Sequence, residues 1–190
     1  MTSIIKVDQI QKADGSTPTA GDLGLNTTGT VLQVVRGYLD TRPAFGANQN
    51  VWVDSGLSAT ITPLSSSNKI YAQVSVTGWH TAATGDSNFR FRYQVGAGSW
   101  SDVNPPSSFT GSSVTALVGN HRFDSSGGWY EGGLRVTYPT LHEPNTTSAV
   151  TYRLELTTEL STLTLNRGRQ DSAVRFGSAV SEIILMEIAG

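Results

Sequence analysis

The sequence predicts an all-β sandwich preceded by an extended N-terminal arm, and three observations carry that prediction. Serine and threonine supply 45 of the 190 residues, whereas Asp, Glu, Lys and Arg together make up only 15%. Long exposed helices need the opposite mix, rich in Glu, Lys, Ala and Leu. Short β-branched and aromatic runs recur with alternating faces, divided by clusters of Gly, Ser, Asn and Pro. No window sustains a 3.6-residue apolar period over three turns. A chain of this length forms one domain of ordinary size with a buried core.

Residues 1–30 differ in character from residues 31–190, which are expected to form the head domain. Ile4, Ile5, Val7 and Ile10 form a short apolar group, and Ala13 to Asp22 is dense in turn residues. Leu23 and Leu25 continue in the same Gly- and Thr-rich style. Such a segment offers too little apolar surface to offset its ordering entropy, so it reads as an arm with at most one short strand or helical turn.

From Val31 the text becomes a series of strands. Val31 to Tyr38 is the first. Val51 to Val53 and Ala59 to Thr62 follow, divided by the turn-like Asp54-Ser55-Gly56. In Lys69 to Thr77, the residues Ile70, Ala72, Val74 and Val76 share one face. Asn88 to Val95 puts Phe89, Phe91, Tyr93 and Val95 inward and turns Arg90 and Arg92 outward. Ser113 to Val118 and Leu134 to Tyr138 are shorter candidates. Ala149 to Thr157 places Val150, Tyr152, Leu154 and Leu156 inward and Thr151, Arg153 and Glu155 outward. Ser161 to Asn166 and Ser181 to Ile188 complete the set. Eight to ten strands of this kind, spaced by polar loops, match a sandwich or jelly roll.

The last strand departs from alternation, because Ile183, Ile184, Leu185, Met186 and Ile188 make both of its faces apolar before and after Glu187. It reads either as a central strand covered on both sides within one sandwich, or as a strand with one face in the core and the other on a partner chain.

Several function classes are disfavoured. With no cysteine there is no disulfide frame and no thiolate metal site. A formal net charge of -2 gives no basic face for nucleic acid. No run approaches the roughly 20 apolar residues of a membrane span. Lys6 and Asp8 interrupt the only candidate secretory core, so a soluble protein made in a cytoplasm is expected. His80, His121 and His142 lack metal-ligand spacing. The Gly96-Ala97-Gly98-Ser99 and Ser125-Ser126-Gly127-Gly128 segments lack the nucleophile-elbow pattern. No catalytic, cofactor or metal residue is expected, and the chain reads as a non-enzyme. Trp79, Trp100, Trp129 and Tyr130 stand in segments rich in Gly, Ser, Asp and Glu. They are candidate contacts to a host-surface glycan, or else plugs at the ends of the sandwich.

Three strings carry a resemblance. Ile5-Lys6-Val7-Asp8-Gln9-Ile10-Gln11 is followed by Asp14-Gly15-Ser16-Thr17-Pro18-Thr19 and by Asp22-Leu23-Gly24-Leu25-Asn26. Ile61-Thr62-Pro63 leads through Ser65 to Ile70 and on to Phe89-Arg90-Phe91-Arg92. Ser181 to Gly190 closes the chain. Together they resemble short virion structural proteins of tailed bacteriophages, tail-fibre-like proteins of the marine and cyanobacterial type. The resemblance implies a homotrimeric jelly-roll head, similar to the tumour-necrosis-factor and C1q heads, within a virion assembled in the host cytoplasm. It implies that Ile5, Val7, Ile10, Leu23 and Leu25 attach the arm to other virion proteins of tail, baseplate or capsid. It also implies that Ile183, Ile184, Leu185, Met186 and Ile188 meet at the trimer interface. No shaft separates arm from head, which favours a compact fibre, a baseplate piece or a capsid decoration protein. Residues 96 to 148 carry no such resemblance.

Overall fold

The computed structural model describes residues 10–19, 21–24, 28–47, 51–80, 86–103, 133–159, 161–167 and 179–190. The expected strand over Ser113 to Val118 lies outside them. The described residues hold ten strands and no helix: β1 (Val31–Leu39), β2 (Ala44–Phe45), β3 (Val53–Ile61), β4 (Lys69–His80), β5 (Asp86–Val95), β6 (Ser101–Asp102), β7 (Gly133–His142), β8 (Val150–Glu159), β9 (Leu163–Leu165) and β10 (Ser181–Ile188). Ahead of β1, residues 10–19 and 21–24 form turns, with Asp14 accepting from the Ser16 amide at 2.9 Å and Lys12 paired to Asp22 at 2.7 Å.

The pairing is antiparallel and nested. β1 pairs with β10, β3 with β8, β4 with β7 and β5 with β6. Two further ladders, β10 on β4 and β8 on β5, join these pairs into two sheets. One runs β1-β10-β4 with β7 on the far side of β4, and the other runs β3-β8-β5-β6. β9 takes up β4 at Gly78–His80, where β10 has ended, and β2 pairs with β9. The two sheets face each other as an antiparallel sandwich.

The period-two pattern explains the core. Ile70, Ala72, Val74 and Val76 of β4 point inward, as do Phe89 and Phe91 of β5 and Val150, Tyr152, Leu154 and Leu156 of β8. Leu57, Ala59 and Ile61 from β3 join them, with Ile183 and Leu185 from β10. Tyr93 and Val95 share the inward face of β5 but are only partly buried against that cluster. Each fully buried Leu, Ile or Phe contributes roughly 1.5–3 kcal/mol by leaving water.

β3 and β7 differ from the sequence reading for definable reasons. Asp54-Ser55-Gly56 is a bulge inside β3, so one strand replaces the two expected. The β3–β8 register shifts between Asp54 and Ser58, and Gly56 takes φ 78°, a conformation in which glycine carries no Cβ penalty. The Gly56 amide donates to Asp54 at 2.8 Å, and Ser55 Oγ donates to the Leu154 carbonyl at 2.7 Å. β7 continues past Tyr138 through Pro139 to His142, because among the described residues it pairs with β4 alone, and a strand side without a ladder tolerates a missing N–H.

The sandwich closes tightly where β1 crosses β3. A Cβ at Gly37 would fall on the Ser58 carbonyl oxygen, with the Ser58 carbonyl carbon at 2.8 Å and Ala59 Cβ at 2.9 Å. Gly37→Ala should therefore force backbone movement and lower stability by about 1–3 kcal/mol in urea denaturation. An unchanged midpoint would show that β1 shifts away from β3 without cost.

Candidate interaction faces

The outer face of the first sheet is apolar along one row. Register aligns Val34 of β1 with Met186 of β10, Met186 with Tyr71 of β4, and Tyr71 with Leu141 of β7. Val34 is 59% exposed and Leu141 46%, while Met186 and Tyr71 are half-buried between their neighbours. The next row holds Arg36, Ile184, Gln73 and Pro139. On the other side, Ile188 lies beside Val31 and Lys69. Ion pairs bound the band: Arg36 to Glu182 at 2.8 Å, and Lys69 to Glu143 at 2.7 Å. Glu143 is held below the usual carboxylate range by its hydrogen bond to Lys69 and by that lysine's charge.

Against this band, the single sandwich accounts for Ile183 and Leu185. Both are fully buried in its core, which leaves Ile184, Met186 and Ile188 as the apolar residues of β10 that face outward. The physical reason is the strand pleat, which sends alternate side chains to opposite faces.

The outer face of the second sheet is charged and aromatic. Glu155 of β8 faces outward, as its position in the alternation requires, yet it is only 2% exposed. Arginines cover it. Arg90 Nε donates to Glu155 Oε2 at 2.5 Å, Arg153 Nη2 pairs with Oε1, and Arg92 Nη1 lies 3.7 Å from Oε1. Arg153 also reaches Asp54 at 3.2 Å, and Arg92 reaches Asp102 at 3.1 Å. Two tryptophans cap the lattice: Trp52 lies under Arg90 at 4.5 Å and Trp100 under Arg153 at 3.8 Å. Three arginines meet three carboxylates, so the cluster balances its own charge, although Arg92 Nε and Arg153 Nε are buried without a hydrogen-bond acceptor. Neither Trp52 nor the burial of Glu155 figures in the sequence reading. The alternating Arg90, Arg92 and Arg153 opposite Glu155 were the available signal.

Of the aromatic residues expected at a glycan site, the two described ones lie on different sheets. Trp79 is on the outward side of β4 in the first sheet, paired across to Thr164 and Gly133. Trp100 belongs to the second sheet, with one ring face covered by Arg153. Trp129 and Tyr130 lie outside the described residues. Of the arm residues, Ile10 and Leu23 are exposed at 53% and 45%, and Ile5, Val7 and Leu25 lie outside the described residues.

The buried histidines of the sandwich bond to hydroxyl groups. His80 is buried between Ser161 Oγ and Ser87 Oγ, each 2.8 Å from a ring nitrogen. His142 sits opposite Ile70, ten residues back along β4 and therefore about 30 Å from His80. His121 lies outside the described residues, and among the described residues no three His, Asp or Glu side chains gather as metal ligands.

Glu187 closes the β3–β4 loop. Fully buried, it accepts from Gln33 Nε2 at 2.5 Å, Asn68 Nδ2 at 2.6 Å and the Leu64 amide at 2.7 Å. Burial alone would push its carboxyl up. The bonds from Asn68, Gln33 and the Leu64 and Ser65 backbone together outweigh burial, and the net direction is down. Folding then favours the carboxylate, so this stabilisation is complete above the unfolded pKa of about 4.3 and is lost as pH falls below it. Glu187→Gln should cost about 1.5–3 kcal/mol at pH 7 and flatten the acid limb of a stability–pH curve. Equal acid limbs in the two proteins would rule out this role.

Fold and faces together define an antiparallel β-sandwich with an apolar row on one outer sheet face and an Arg–Glu–Trp cluster on the other. The chain matches no protein-family model and no curated protein.

Proposed function

We propose that this chain is a non-enzymatic structural protein of a bacteriophage virion, assembled as a homotrimer through the outer face of the β1-β10-β4-β7 sheet. The row Val34–Met186–Tyr71–Leu141 carries the reading, because it sets an apolar band across four strands of a sheet face turned away from the core. Monomeric proteins seldom expose contiguous bands of this kind, and an apolar centre with a charge-paired rim is the anatomy of a protein interface. The nested strand pairing supports the jelly-roll reading, in which eight strands wind as four such pairs. The resemblance of the opening and closing strings to tail-fibre-like virion proteins supports the trimeric stoichiometry and the virion as the place of action. Exposed Ile10 and Leu23 support an arm that gains its apolar contacts from another virion protein.

The part played is that of a tail-fibre-like appendage or, in the alternative arrangement, a capsid decoration protein. Both use the same head and the same arm. Gold-labelled antibody against the head, imaged on purified particles by electron microscopy, should mark the tail or baseplate for the first and the capsid shell for the second. Absence of the protein from purified particles would refute the virion reading.

A further inference from the structure

Tyr152 on β8 and His142 on β7 belong to opposite sheets, and the 2.8 Å bond between the Tyr152 hydroxyl and His142 Nδ1 crosses the core. Tyr152 is fully buried and His142 is 5% exposed. Tyr93 of β5 lies 4.2 Å from the imidazole, centroid to centroid, and Tyr152 meets the imidazole edge-on at 5.7 Å. Burial, aided by neighbouring Tyr93, pushes the Tyr152 phenol up, so it keeps its proton. Its hydrogen bond among the described residues is the one to His142. With the hydroxyl as donor and Nδ1 as acceptor, the imidazole is the tautomer with its proton on Nε2.

We propose that His142 is an acid-released pin between the two sheets. Neutral, it accepts the Tyr152 hydroxyl across the core; protonated, it can only donate, so the hydroxyl must turn to accept and leave its own proton unpaired in a site that also desolvates the new charge. The phenols of Tyr93 and Tyr152 face the ring and bring no counter-charge. Glu143 is the charged group that favours protonation, and Lys69 of β4 holds its carboxylate at 2.7 Å. Burial outweighs that pull and keeps His142 below the ordinary histidine range. The unfolded chain takes up the proton near pH 6.5 and the folded chain resists it. Stability is thus complete above about pH 6.5 and drains away below it.

The test compares the full chain with His142→Gln, a neutral residue that can still accept from Tyr152. Urea denaturation at pH 7.5 and 5.0 gives the rise in unfolding constant for each. The wild-type rise should exceed that of the variant by severalfold, up to the roughly 30-fold limit set by protonating one ordinary histidine in the unfolded chain. In parallel, nitrogen-15 NMR of the wild-type imidazole should show the Nε2–H form and a midpoint below that of a free histidine. The pin is overturned by rises equal within twofold, or by an imidazole that titrates at or above the ordinary value. The NMR arm decides the matter if the variant does not fold.

Discussion

Replacing Glu155 by alanine should lower the stability of the sandwich by about 3–5 kcal/mol, the loss expected when one partner of a buried ion pair is removed. Glu155 lies on β8, the strand held between β3 and β5, and it is the carboxylate on which Arg90, Arg92 and Arg153 converge. Arg153 stands directly across the ladder from Arg92, a like-charge pairing that a sheet does not tolerate without a counter-ion. Without Glu155, Arg153 retains Asp54 and Arg92 retains Asp102, but Arg90, whose side chain is largely covered in the intact sandwich, loses its anion. Trp52 and Trp100 rest on two of these arginines, so their fluorescence should shift along with the denaturation midpoint. A domain of this size is stable by about 5–15 kcal/mol, so the loss would be a large fraction of the total. A loss below about 1 kcal/mol would mean that the arginines find water at little cost and that the lattice is ornamental to stability.

Met186→Glu is the second large effect, and it acts on assembly rather than on the fold. Met186 is at the centre of the apolar row, between Val34 and Tyr71, and faces away from the core. A carboxylate there reaches water in a single chain, so urea stability corrected for association should change by less than about 1 kcal/mol. In a trimer joined through this face the same carboxylate is buried without a partner in every copy, at about 3–5 kcal/mol each. Sedimentation velocity at micromolar concentration should show the variant as monomer with an unaltered circular dichroism spectrum. A variant that stays associated would move the interface elsewhere on the molecule.

Much of the sandwich was legible because half-buried antiparallel strands alternate. Ile70 to Val76, Phe89 to Val95 and Val150 to Leu156 declare their inward faces in the sequence. β2 and β6, at two residues each, are too short to display a period. The β3 bulge uses the same Asp-Ser-Gly chemistry as a turn, and only the partner strand β8 distinguishes the two. Glu187 was hidden for a different reason. It continues the inward parity of Ile183 and Leu185, but a carboxylate in that position suggests solvent until Gln33, Asn68 and Leu64 are known to surround it. Asn166 is similar. Its side chain binds the carbonyls of Leu39 and Thr41 and the hydroxyl of Ser181, partners distant in sequence, from a backbone at φ 56°. Long-range polar partners leave no periodic trace, whereas burial does.

The two apolar faces of β10 are now distinct. Ile183 and Leu185 belong to the core of one chain, and Ile184, Met186 and Ile188 to the face proposed to join copies. Sedimentation equilibrium of the full chain at micromolar concentration and neutral pH tests that assignment most directly. A homotrimer gives a mass three times the 20.2 kDa of one chain. A single species at the mass of one chain would contradict it.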